Sequence, residues 1–241
     1  NINDEILNDE KIREHRVYHG SGADFDAFDH SFVGTGEGNQ SFGWGTYVSD
    51  VEGVGRGYAK RIGDISISER SYIESKIEEA KKYNIPAQVE YWENELRKGN
   101  LEEAQHYLYE VEIPDDNGSN YIDYFGKMQD QQGILDKIDD YMTNHEVYGF
   151  KWQRQTQDQR VQFRAGSRLI TLTPNQSGAD LYEEFKDAFG AKPASEILHA
   201  MGITGIKVPV NAMRGGNENG EMNYVIFDEN DAKITDRKSV V

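Results

Sequence analysis

The apolar positions along the chain change period several times, and each change marks an element. In "ISERSYIESKIEEAKKYN", Ile73, Ile77 and Ala80 fall at helical spacing; Pro86 breaks the run, and Val89, Trp92 and Leu96 resume it. This predicts a helical hairpin over 67–98. "HYLYEVEIP" (106–114) alternates Tyr107, Tyr109, Val111 and Ile113 on one face, a strand signal. Ile134, Leu135, Ile138 and Met142 predict a helix over 130–144, and "RLITLT" a strand ended by Pro174. Two punctuated helices follow. One runs from the Ser177 region through Leu181, Phe185 and Phe189 to Gly190; the next runs from Pro193 through Ile197, Leu198 and Met201 to Gly202. Proline near a start and glycine past an end match the known asymmetry. "GIKVPV", a "RGGNENGE" turn, "MNYVIF" and "AKI" read as closing strands of an antiparallel sheet. At the front, residues 3–14 read as an acidic helix, Arg16–His19 as a short strand, and 51–62 as a glycine-weakened helix. Residues 20–45 hold seven glycines and no period, which predicts a long ordered loop of the kind kept for function. No repeat or linker interrupts the chain, so the expectation is one α+β domain over 1–241.

Composition narrows the function classes. A length of 241 residues suffices for a sizeable core, and a charged fraction of 29% makes the surface polar. No apolar run approaches the ~20 residues of a membrane span, and "NINDEILNDEKIREH" has no signal-peptide core. The expectation is a soluble, cytoplasmic protein, cut from something longer given its start at Asn1. A net charge of −17 repels phosphate backbones and disfavours general nucleic-acid binding. The absence of cysteine excludes disulfides, thiolate metal sites and a cysteine nucleophile. The histidines at 15, 19, 30, 106, 145 and 199 show no ligand spacing, so no metal is expected. Residues 151–168 carry five basic residues against one acidic. They read as a solvated face, with a pyrophosphate or target contact as the second reading.

"GTGEGN" (34–39) has glycine spacing like a phosphate loop, but no Gly-Lys-Ser/Thr ending follows. More specific is an ordered set: a strand ending in His19-Gly20-Ser21, a glycine-rich loop, Phe42-Gly43-x-Gly45-x-Tyr47, Tyr58 eleven residues later, and a late "NYVIFD". Glycines flanking this run suggest backbone packed near a flat ligand. In these motifs the chain resembles the ADP-ribosyltransferases of the diphtheria-toxin and poly-ADP-ribose-polymerase type. "GTGEGNQSFGWGTY", "ASEILHAMGITGIKV" and "NYVIFD" look still more like the transferase domains of phage and conjugative-element polyvalent proteins. The resemblance covers about 15–62, 106–114 and 168–236, leaving 67–98 and 130–165 as helical insertions. It implies a split antiparallel sheet and NAD⁺ as substrate.

The resemblance also implies roles. Tyr47 and Tyr58 would hold the cationic nicotinamide by stacking and cation–π attraction. Gly20 would offer its backbone to the carboxamide, Ser21 its hydroxyl, and His19 a hydrogen bond to a ribose hydroxyl. A carboxylate would stabilise the oxocarbenium-like ribose. At the position matching the family's catalytic glutamate this chain has Asn223. Losing such a charge costs ~3–4 kcal/mol, which argues against chain elongation. Glu37 and Glu221 are the candidate substitutes. The implied activity is mono-ADP-ribosyl transfer to a macromolecular acceptor, expected to be a protein, with catalytic candidates His19, Tyr47, Glu37 and Asn223. The alternatives are a non-catalytic NAD⁺-binding module and an NAD⁺ glycohydrolase. Read singly, His19 is a capped strand-end histidine, Glu37 a solvated loop acid, Glu221 a turn residue and Trp44 loop packing.

Overall fold

The computed structural model describes residues 14–33, 40–61, 67–99, 106–210 and 220–240. Its frame is a seven-stranded, mostly antiparallel sheet. In one half, β1 (Glu14–Ser21) pairs along its whole length with β3 (His106–Pro114), which β12 (Lys233–Val240) flanks on the outside. In the other, β2 (Thr46–Ser49) pairs with β11 (Met222–Ile226), and β11 with β10 (Gly205–Pro209). A short β4 (Tyr121–Asp123) then lies parallel to β10. The two halves meet at a single described rung, Tyr18 opposite Ser49.

Strand alternation sorts the apolar residues into two cores. Ile206, Val208 and Val225 point to one face; Val17, Val48, Tyr109, Val111, Tyr224 and Ile226 point to the other. The first face carries α4 (Gln132–Asn144), α5 (Gly178–Phe189) and α6 (Ala191–Ala200). A three-stranded sheet of β7 (Gln153–Gln157), β8 (Arg160–Ala165) and β9 (Arg168–Leu172) completes that layer. Ile138, Phe163, Ile170, Leu181, Phe185 and Leu198 are fully buried there, each worth roughly 1.5–3 kcal/mol of apolar burial. Ser177 and Asp180 form a capping box that starts α5. On the same face of the β1 half lies α1 (Glu52–Arg61). The hairpin α2 (Ile67–Lys82) and α3 (Pro86–Gly99) buries Ile73, Ile77 and Ala80, as their spacing requires, and Pro86 opens α3.

The mixed α+β class and the mostly antiparallel sheet agree with expectation, but two details do not. The insertion expected to be helical over 130–165 is helix only to Asn144. From there β5 (Glu146–Val147), β6 (Phe150–Lys151), β7 and β8 follow as strands. Val161, Phe163 and Ala165 repeat with period two, and two-residue turns join the strands. In one, Asp158 and Gln159 have φ of 48° and 64°; in the other, Tyr148 and Gly149 have 54° and 72°. Positive φ at both turn positions is the twist that a tight hairpin needs. The chain's end is a strand of the antiparallel sheet, as expected; its neighbour is set only by the fold, in which β12 crosses to the far edge and pairs with β3. Finally, α6 begins at Ala191, with Pro193 inside its first turn. The helix expected over 3–14 falls outside the described residues except at Glu14, which opens β1. No described helix is long and apolar enough to cross a membrane.

Candidate functional site

The segment from Phe42 to Tyr47 is held by packing inside the protein. Trp44 is buried, its amide donating to Tyr182 Oη at 2.9 Å and its carbonyl accepting from Ser195 Oγ at 2.8 Å. Lys192 Nζ lies 5.3 Å from the Trp44 ring centre. Gly43 and Gly45 have φ of 139° and 155°. A side chain on Gly45 would overlap the Ile226 carbonyl, and one on Gly43 would press on Tyr182 and Ile206. These glycines let the loop approach protein backbone and core, so close packing within the protein already requires them. The Tyr47 hydroxyl closes the same loop: it donates to the Gly43 carbonyl at 2.8 Å and accepts from the Phe42 amide at 3.1 Å. Burial pushes its pKa up to about 12, so the phenol stays protonated near neutral pH.

Gly20 has a similar structural cause. A Cβ there would overlap the Gly55 carbonyl oxygen and stand 2.5 Å from the Ala59 amide nitrogen, so α1 sits directly on β1. Gly55 is equally constrained, by Tyr18 Cβ at 3.1 Å and Leu108 at 2.9 Å. Ser21 Oγ accepts from the Ala23 amide at 3.0 Å, a local turn that leaves its proton available to another partner.

His19 stands where the two half-sheets part. Its Nδ1 lies 2.8 Å from the Tyr47 carbonyl, a side-chain bond across a gap that the backbone ladder has left. A carbonyl can only accept, so Nδ1 carries the proton and Nε2 of the neutral ring offers a lone pair. Burial lowers the ring's pKa, and the bond to Tyr47 only partly offsets that, so the ring is neutral near pH 7. Phe28 meets the ring edge-on at 5.1 Å. Tyr109 supports the loop beneath by donating to the Ala23 carbonyl at 2.8 Å and accepting from the Phe25 amide at 3.0 Å.

Asn223 lies on β11 opposite Ser49, which in turn faces Tyr18, so three strands contribute to one rung. Its Oδ1 is the one buried side-chain oxygen or nitrogen without a hydrogen-bond partner among the described residues. Such an orphan acceptor is costly unless something donates to it. Asn223, Ser49, Tyr18 and Gly20 share the α1 face by alternation, whereas His19 belongs to the face of Val17 and Tyr109. The structure thus places His19 and Asn223 on neighbouring parts of the sheet without a hydrogen bond between them. Glu37 lies outside the described residues, as does the side chain of Tyr58, whose backbone is in α1. Glu221 is half-buried at the start of β11, its carbonyl accepting from the Val210 amide at 2.9 Å.

Sequence reasoning missed Ser49 and Asp50. Ser49 is two residues past Tyr47 and so on its face, a signal that alternation alone could have supplied. Asp50 anchors β11 through the Met222 amide at 2.7 Å and meets His15 Nε2 at 2.5 Å. No group of described residues could hold a metal ion. Comparison of the chain with protein-family models, with curated proteins and with solved structures finds no match.

Proposed function

We propose that the chain binds NAD⁺ beside the β1–β2 split and transfers ADP-ribose from it to a protein acceptor. One observation carries the reading. His19-Gly20-Ser21, Tyr47 and Asn223, far apart in sequence, fall on three successive neighbours, β1, β2 and β11, where the backbone ladder is reduced to one rung. In this reading the neutral His19 accepts a ribose hydroxyl at Nε2. Gly20 offers backbone to the carboxamide, while Tyr47 and Tyr58 supply ring faces. Asn223 carries no charge, so cleavage of the nicotinamide–ribose bond proceeds ~3–4 kcal/mol less favourably than beside a carboxylate unless Glu37 or Glu221 enters the site.

The second reading, an NAD⁺-binding module without turnover, is favoured by a specific arrangement. The nearest carboxylate along the Asn223 rung is Glu110, two strands beyond Ser49, and Arg16 Nε pairs with it at 3.1 Å. Titration calorimetry with NAD⁺, run beside a nicotinamide-release assay with and without cell lysate, separates the readings. Binding with lysate-dependent release supports transfer, and release without lysate means glycohydrolysis. Binding without release leaves the module, and no binding overturns the proposal.

A further inference from the structure

The basic stretch found in the sequence becomes a surface in the fold. Pairing sets Gln153 opposite Arg164, Gln155 opposite Gln162, and Gln157 opposite Arg160, with Thr171 next to Gln162 on β9. Gln162 Nε2 donates to Thr171 Oγ1 at 3.3 Å. Phe163 and Ile170 point the other way, into the core. All of β7 is exposed, as are Arg160 and Arg164. The inward arginines are engaged: Arg154 pairs with Asp139 at 2.6 Å, and Arg168 lies over the Phe150 ring at 4.8 Å. Arg160 and Arg164 form no ion pair among the described residues. The strand residues of this face include no carboxylate, in a chain with 43 acidic residues; Asp158 sits in the turn beyond it, and Glu184 accepts from the Thr171 amide at 2.8 Å on the β9 edge.

We propose that this face docks duplex DNA, with the β7–β8 ribbon against the major groove. A two-stranded ribbon is one of the elements that the groove admits. Glutamine amides match the adenine edge there, and arginine matches guanine or phosphate. Arg160 and Arg164 stand four residues apart on one strand, about 13 Å. That is close to the groove's width of ~12 Å, so the two guanidinium groups reach the two flanking backbones while Gln155 and Gln162 face the floor. The face has no aromatic residue, and a single strand would find no stacking platform on it. The net charge of −17 averages over the acid-rich remainder, and salt screens that remainder beyond ~10 Å at 0.1 M.

The test titrates the full chain into a fluorescent mixed-sequence duplex of about 20 base pairs, a single strand of the same length and polyglutamate, at about 50 and 200 mM salt. The duplex is expected to bind best, with affinity falling in salt at a log–log slope of about −2. Arg160→Gln with Arg164→Gln should weaken duplex binding about tenfold and flatten that slope. Gln155→Ala with Gln162→Ala should narrow the differences between duplex sequences at unchanged salt dependence. No duplex binding at the lower salt, an unaltered double arginine variant, or tighter binding of polyglutamate or the single strand each overturns the proposal. NAD⁺ affinity measured in the same variants should be unchanged, which keeps this result separate from the nucleotide reading.

Discussion

The centre of the large sheet and the outer face of the small one are built from opposite materials. Around the β1–β2 split, residues that read as ligand contacts are held by the protein itself. Gly20 is pressed by α1, Tyr47 Oη is bonded to its own loop, and His19 Nδ1 is bonded to Tyr47. Among the described residues, what the protein itself leaves unpaired there is sparse: one imidazole nitrogen, the Ser21 hydroxyl proton and the buried Asn223 amide oxygen. On the β7–β9 face the side chains stand in water with few partners. The first region couples any function to stability, whereas the second leaves recognition separable from folding.

The largest effect expected from that contrast is at Gly20. Gly20→Ala forces a methyl into the α1 backbone and should cost about 3 kcal/mol or more in a denaturation midpoint, with NAD⁺ binding lost alongside. Gly57, in the same helix, meets nothing within 4 Å of an added Cβ. Gly57→Ala should therefore stabilise by up to about 1 kcal/mol, and an equal loss at both positions would break the close-packing account.

Tyr182→Phe removes the hydroxyl that joins Trp44 and Ser195. Leaving the buried Trp44 amide unpaired should cost about 1–3 kcal/mol, read as a fall in melting temperature. Unchanged stability would mean that the Trp44 loop is not held by α5.

The histidines sharpen the comparison through pH. His19 and His30 have pKa values lowered by burial from 6.5, so both bind fewer protons folded than unfolded. Their share of stability is complete above pH 6.5 and is lost as pH falls through the folded values. His199 is raised, chiefly by its hydrogen bond to Asp231, and its share has the opposite sign: complete below pH 6.5 and lost as pH rises through the folded value. Melting curves across pH should show His19→Gln flattening the acid limb and Asp231→Asn removing the gain from His199. The smallest effect belongs to the outer face, where Arg160→Gln with Arg164→Gln should shift stability by no more than about 0.5 kcal/mol.

By itself the sequence determined the local elements, because period and punctuation are local facts. The α2–α3 hairpin, α4, α5 with its cap, β3 and β9 follow from apolar spacing, Pro86 and Gly190. It also carried the residue types of the candidate site, His19, Gly20, Tyr47 and Asn223. The tertiary structure decided what those types are for. Only the approach of α1 shows why residue 20 lacks a side chain, and only the β2–β11 register sets Asn223 beside Ser49 and Tyr18. Residues 146–165 read as helical in the sequence, which hides their strands, for a related reason: those strands are fixed by positive-φ turns and by Phe163 packing on a core from distant segments. A periodic pattern records which face is apolar; which backbone lies against that face is settled only when the chain has closed on itself.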